Sequence, residues 1–197
     1  PMPSSAPPAL LCLTCHPATP CTAALRLQAG CTPAPDGQGW RLRYELAGEL
    51  ALLRIPPPAP APGAADGLWR HTCFEACAGP TDDAAYREFN FSPAGDWAAY
   101  AFSAERVRDA AREPLAAPRI ACARTADRLV LDAWLPAGAL PDAGAPHRLG
   151  LAAVVETRDG GLSYWALQHP APRPDFHHRG GWTAHLPRPE ISSHIGL

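Results

Sequence analysis

Residues 40–46, Trp-Arg-Leu-Arg-Tyr-Glu-Leu, alternate apolar and charged side chains. An extended chain therefore carries Trp40, Leu42, Tyr44 and Leu46 on one face and Arg41, Arg43 and Glu45 on the other. A helix would scatter the same residues around its circumference. The period of two recurs in HTCFEACAG, AYREFNFSP, DWAAYAFS, RIACAR, DRLVLDAWLP, RLGLAAVVET and LSYWALQHP, and ELALLRIP reads as the strand that closes a hairpin on residues 40–48. The 25 prolines and 16 glycines punctuate these runs, and RDGG reads as a hairpin turn. Only SAERVRDAAREP carries a helical signal, with Ser103 as N-cap and Pro114 as its stop. About nine or ten short strands and at most one short helix predict an all-β fold, an antiparallel β-sandwich, with a closed barrel as the alternative. We expect one domain over residues 16–190, an N-terminal segment 1–15 as a candidate for disorder, and a C-terminal tail 191–197. The proline-rich PPPAPAPGAADG is a loop inside that domain.

Composition narrows the function. A 47% hydrophobic chain is not a disordered one. All 17 basic residues are arginine and the net charge is −2, so no basic field favours nucleic acid. The N-terminus has no basic residue before Arg26, and its apolar run PPALLCL is short and proline-led. It matches neither a secretory signal nor a membrane span, and a cytoplasmic, membrane-free chain is the expectation, with an upstream start left open. Cys12-Leu-Thr-Cys15-His16 has the C-x-x-C-H form of a covalent haem attachment site, but that chemistry needs export, so we expect no covalent haem. The seven cysteines are odd in number and lack paired zinc spacing; most are expected to be small buried apolar side chains.

The chemistry depends on shared faces. Alternation places His71, Cys73, Glu75 and Cys77 on one side of their strand, and Tyr86, Glu88, Asn90 and Ser92 on one side of the next. Antiparallel pairing with these faces together sets Glu75 opposite Glu88 or Asn90; two carboxylates would repel, which favours Asn90. Tryptophans are the second constellation, because indole faces stack on sugar rings while carboxylates, amides and arginines take hydroxyls. Trp69, Trp97, Trp165 and Trp182 are available, core packing is the ordinary role of each, and Trp69 stands out beside Arg70 at the end of a loop.

LWRHTCFEAC (68–77), YREFNFSPAGDWAAYAF (86–102) and SYWALQHPAPRPDFHHRGGW (163–182) together resemble bacterial DOMON-like domain proteins, related to family 9 carbohydrate-binding modules. The resemblance covers nearly the whole chain. It implies a β-sandwich that binds a small ligand without transforming it, sugar in some branches and non-covalent haem in others. In the sugar-binding branch a tryptophan just before a strand and a glutamate within it touch ligand, and Trp69 and Glu75 look like that pair. Methionine is a common axial ligand where haem binds, and the only methionine here is Met2.

HPAPRPDFHHRGG adds His169, Asp175, His177, His178 and Arg179. Adjacent His177 and His178 would face opposite ways in a strand, so we expect no metal centre; His71, His169, His177 and His178 form the weaker metal or haem alternative. Asp175 is expected to cap a turn while one histidine bonds across the end of the sandwich. No nucleophile elbow or phosphate loop is present, so no catalytic residue is named. The reading is a non-catalytic binding module for a carbohydrate or similar polar ligand, held by Trp69, Arg70, Glu75, Glu88, Asn90, Trp165 and His169, with Asp175, His177 and His178 from the loop. No cofactor is required. A non-covalent haem-binding redox domain and a protein-interaction sandwich without small ligand are the alternatives.

Overall fold

In the computed structural model, which describes residues 8–34, 38–114, 116–140 and 145–186, the alternating runs become strands. In chain order they are β1 (Leu11–Cys15), β2 (Leu25–Pro33), β3 (Gly39–Gly48), β4 (Cys73–Pro80), β5 (Tyr86–Phe91) and β6 (Trp97–Ala104). They continue with β7 (Val107–Arg108), β8 (Arg119–Arg124), β9 (Arg128–Pro136), β10 (His147–Glu156), β11 (Leu162–Ala166) and β12 (Ala184–His185). Every pairing between these strands is antiparallel. The helical pieces among the described residues are single 3-10 turns.

The strands run in one path, β7-β6-β5-β4-β10-β11-β1-β2-β3-β9-β8, with β12 beside β10. The path folds at β1, where Leu11–Leu13 pair with β2 while Thr14 and Cys15 pair with β11. A narrow sheet, β2-β3-β9-β8, thereby lies over a wide sheet, β7-β6-β5-β4-β10-β11. The path begins at β7 and ends at β8, so the sandwich is open and the barrel alternative falls. Between the sheets pack Leu42, Tyr44, Leu46, Leu129 and Leu131 from one side and Phe74, Phe89, Phe91, Leu151 and Trp165 from the other. The Tyr44 hydroxyl, buried in this core, donates to the Glu75 carbonyl at 2.7 Å and joins the layers.

Several expectations change. Leu11–Cys15 is a strand, so the ordered domain begins before residue 16; residues 1–7 and 191–197 lie outside the described residues. ELALLRIP does not pair with β3, whose partners are β2 and β9. Its run of consecutive apolar residues lacks alternation, and Leu50 and Leu53, three apart, are buried by a 3-10 turn over Leu50–Leu52. SAERVRDAAREP forms no α-helix: β6 runs to Ala104, Arg106 turns the chain at φ 58°, and β7 and a 3-10 turn at Ala110–Arg112 follow. The segment offers only Val107, half-exposed, so it has no apolar stripe to bury as a helix. Two of the seven free cysteines, Cys73 and Cys77, are buried; Cys12 and Cys122 are exposed and the rest are intermediate.

Candidate functional site

The register of the wide sheet determines which side chains leave the core. Glu75 pairs with Asn90 and Cys77 with Glu88, the arrangement expected from charge. Glu88 in turn pairs with Tyr100, Tyr86 with Phe102, and Val154 with Tyr164. All of these lie on the face turned away from the narrow sheet, because Phe74, Ala76, Phe89 and Phe91 occupy the alternate positions.

Over this outer face runs the segment from Gln168 to Trp182. His16 anchors one end: its Nδ1 accepts the Ala18 N–H, which leaves the Nε2 proton to donate to the Ala171 carbonyl at 3.1 Å. His169 Nε2 reaches the Thr14 carbonyl at 2.8 Å. At the other end Arg179 donates to the carbonyls of Pro80 and Ala85, each at 3.0 Å. Trp182 packs against Gly150, where a Cβ would stand 2.4 Å from its Cδ1, and its Nε1 donates to the Phe176 carbonyl.

Between segment and sheet opens a cleft of about 430 Å³, lined by Trp69, Glu75, Glu88, Tyr100, Phe102, Arg106, Arg108, Val154, Tyr164, Pro174, Asp175, Phe176 and His177. Trp69 is 42% exposed, and its ring meets Tyr100 edge-on at 6.1 Å. The Tyr164 and Phe176 rings meet at a tilt, centroids 6.0 Å apart, on the far wall. Glu75 forms part of the lining and is only 4% exposed; its Oε1 is buried without a hydrogen-bond partner among the described residues. Burial, and then the neighbouring Glu88, push the Glu75 carboxyl well above the ordinary carboxylate range. Burial also raises Glu88, against the lowering effect of the Asn90 Nδ2 bond at 3.0 Å and of Arg106 and Arg108.

The rim is held by a hydrogen-bond chain. The Tyr86 hydroxyl accepts the Arg106 backbone N–H at 3.1 Å and is hydrogen-bonded to His177 Nδ1 at 2.7 Å. His177 Nε2 lies 3.4 Å from Glu88 Oε2. Burial, with Arg106 nearby, pushes the His177 pKa down to about 4, so its contact with Glu88 is between a neutral ring and a carboxyl group. Asp175 accepts the His177 backbone N–H at 3.0 Å, the turn-capping role foreseen, and takes Arg106 at 2.7 Å.

The structure therefore gathers Trp69, Glu75, Glu88, Asp175 and His177 in one cleft, with Asn90 buried behind them as the donor to Glu88. Arg70 is exposed and outside the lining. Trp165 stands on the core side of β11, its Nε1 donating to Ser163 Oγ, and Tyr164 takes the cleft side. His169 belongs to the anchored end of the segment, bonded to the Thr14 carbonyl and outside the cleft lining, and His178 is exposed and accepts the Gly180 N–H at 3.1 Å. His71 pairs with Glu156 at 2.8 Å. Of the four histidines named for metal or haem, only His177 lines the cleft, and no cluster of three His, Cys, Asp or Glu side chains suited to a metal occurs among the described residues. Tyr100, Phe102, Arg106, Arg108, Tyr164 and Phe176 were not named from sequence; Tyr100 was within reach, since the SPAG turn fixes it opposite Glu88.

No helix of the described residues is long and apolar enough to cross a membrane. The chain matches no family model and no curated protein. Two solved structures are similar. One is described as a "putative carbohydrate-binding protein" from Bacteroides uniformis, at 16% identity and TM-score 0.62, covering 91% of this chain and 85% of that one. The other is a family 9 carbohydrate-binding module from Caldicellulosiruptor kristjanssonii in complex with cellotriose, at 8% identity and TM-score 0.52, covering 81% and 72%. At such identities the likeness is one of fold: this chain is an antiparallel β-sandwich whose fold is similar to that of these two proteins.

Proposed function

We propose that this protein is a non-catalytic module that holds a small carbohydrate in the cleft on the outer face of the wide sheet. The observation that carries the reading is the meeting of Trp69 and Glu75 in one open cavity, with Glu75 Oε1 left unpartnered. An orphaned buried oxygen costs about 1–3 kcal/mol unless a ligand supplies its partner. A sugar hydroxyl suits that oxygen in either protonation state, since it both donates and accepts. Trp69 offers an indole face on one wall, and Tyr164 and Phe176 offer aromatic surface on the other. The fold likeness to carbohydrate-binding proteins and the motif resemblance to DOMON-like proteins support the same reading.

Calorimetric titration with a panel of neutral mono- and disaccharides tests it. Binding that is weakened at least about tenfold by Trp69→Ala and by Glu75→Ala is expected, the loss of one stacking face or one buried hydrogen bond. No heat from any sugar, or binding indifferent to both substitutions, would overturn the proposal.

A further inference from the structure

A second depression, of about 220 Å³, lies away from the cleft and is lined by Leu53, Arg54, Ile55, Arg124 and Arg158. Three arginines from three separate parts of the chain meet there. Leu53–Ile55 follow the Leu50–Leu52 turn, Arg158 sits in the β10–β11 hairpin, and Arg124 ends the edge strand β8 of the narrow sheet. The first two parts are clamped together: Leu53 bridges Thr157, the Arg54 N–H donates to the Glu156 carbonyl at 2.8 Å, and the Arg158 N–H donates to the Leu52 carbonyl at 2.9 Å.

The guanidinium groups are partly fixed in advance. Arg54 Nη1 lies 3.2 Å from Glu156 Oε1, and its Nη2 donates to the Arg158 carbonyl at 3.3 Å. Arg158 Nε donates to the Ala51 carbonyl at 2.8 Å. The Nη groups of Arg158 and the whole guanidinium of Arg124 have no hydrogen-bond partner among the described residues. Glu156 is the one carboxylate engaged by the trio, and His71 shares it. Elsewhere on this surface arginines meet acids, as in Arg108 with Glu113 and Arg128 with Glu45. Three like charges in one hollow with a single acid between them repel one another, and their forks of N–H donors match the oxygens of phosphate and sulfate.

The geometry points to a second binding site: the Arg54–Arg124–Arg158 depression takes a compact tetrahedral oxyanion, phosphate or sulfate, free or as an ester. A carboxylate is satisfied by one guanidinium in a bidentate pair, whereas a tetrahedral ion presents oxygens to all three. The inference stands apart from the sugar reading of the cleft.

The test is calorimetric or NMR titration of the whole chain at fixed ionic strength with inorganic phosphate, inorganic sulfate, methyl phosphate and, as a control, acetate. Saturable binding of at least one tetrahedral anion, tighter than acetate, is expected. Arg124→Ala and Arg158→Ala should each weaken it about tenfold, one charge-assisted hydrogen-bonding group apiece, while Arg112→Ala leaves it unchanged. Tighter binding of methyl phosphate than of the inorganic ions identifies an ester as the ligand, and the reverse identifies the free ion. Arg124 is exposed on an edge strand, so its removal spares the fold, and unchanged thermal melting of Arg124→Ala checks this. No saturable binding of phosphate, sulfate or methyl phosphate, binding no tighter than acetate, or equal loss in Arg112→Ala overturns the site.

Discussion

Glu75 and His177 line the same cleft with opposite departures from their ordinary protonation. Burial holds the Glu75 proton on and keeps a proton off His177. Between about pH 4.5 and 6.5 the two act against each other. Unfolding in that window lets His177 take up a proton, so its contribution to stability falls as pH drops from 6.5 toward the folded value of about 4. Unfolding releases the Glu75 proton, so its contribution is full below the ordinary carboxylate range and falls as pH rises. Each slope is at most about 1.4 kcal/mol per pH unit, and in the native protein they offset. Burial raises Glu88 as well, so it is the double variant Glu75→Gln, Glu88→Gln that should leave the histidine slope, with urea midpoints rising from pH 5 to pH 6. His177→Gln should leave the glutamate slope, with midpoints falling over the same interval. Midpoints in the two variants that move in the same direction would show that the groups do not hold these protonation states.

At the scale of elements, the cleft exists because one segment lies across one sheet face, and small side chains on that face make the room. Gly150, Ala152 and Ala166 lie beneath or beside Trp182, and a Cβ at Gly150 would stand inside the indole's contact distance. Gly150→Ala should cost about 1–3 kcal/mol by overpacking and weaken sugar binding with it, because Trp182 bonds the Phe176 carbonyl and Phe176 is a cleft wall. Gly63→Ala, where an added Cβ meets nothing within 4 Å, should change urea stability by less than about 0.5 kcal/mol. Equal losses in the two would refute the packing argument. This is also where reading the sequence succeeds and fails. Parity along a strand is legible, so Glu75 opposite Asn90 followed from alternation and charge. Which parity faces the core is not legible when adjacent residues are both aromatic, and SYWA offers Tyr164 and Trp165 with equal claim until β10 and β1 fix the register. β2 alternates, with Leu25, Leu27, Ala29 and Cys31 opposite Arg26, Gln28, Gly30 and Thr32, but carries no aromatic or β-branched apolar residue to mark it as a strand, and an arginine turn at positive φ redirected the presumed helix.

At the scale of the molecule, the fold depends on a strand that local pattern could not place. β1 is five residues long, and its value lies in belonging to both sheets. Leu13 is buried in the core beside Leu27 and Trp165, and without β1 both β2 and β11 would present open edges. Gly30 of β2 is also closed over by the chain just before β1, since a Cβ there would meet the Ala9 carbonyl oxygen at 2.3 Å. Trimming the chain to start at residue 16 therefore removes a core leucine, which alone is worth about 2–5 kcal/mol, and frees the seam between the layers. For a domain whose whole stability is on the order of 5–15 kcal/mol, that loss should abolish cooperative thermal unfolding or lower the midpoint by about ten degrees or more. A chain starting at residue 8 keeps β1 and should still unfold cooperatively. Circular dichroism melts of the two trimmed forms decide the point: if the chain from residue 16 unfolds cooperatively within two or three degrees of the untrimmed chain, then the two sheets hold together through their facing side chains alone, and β1 is an ornament on the sandwich rather than its hinge.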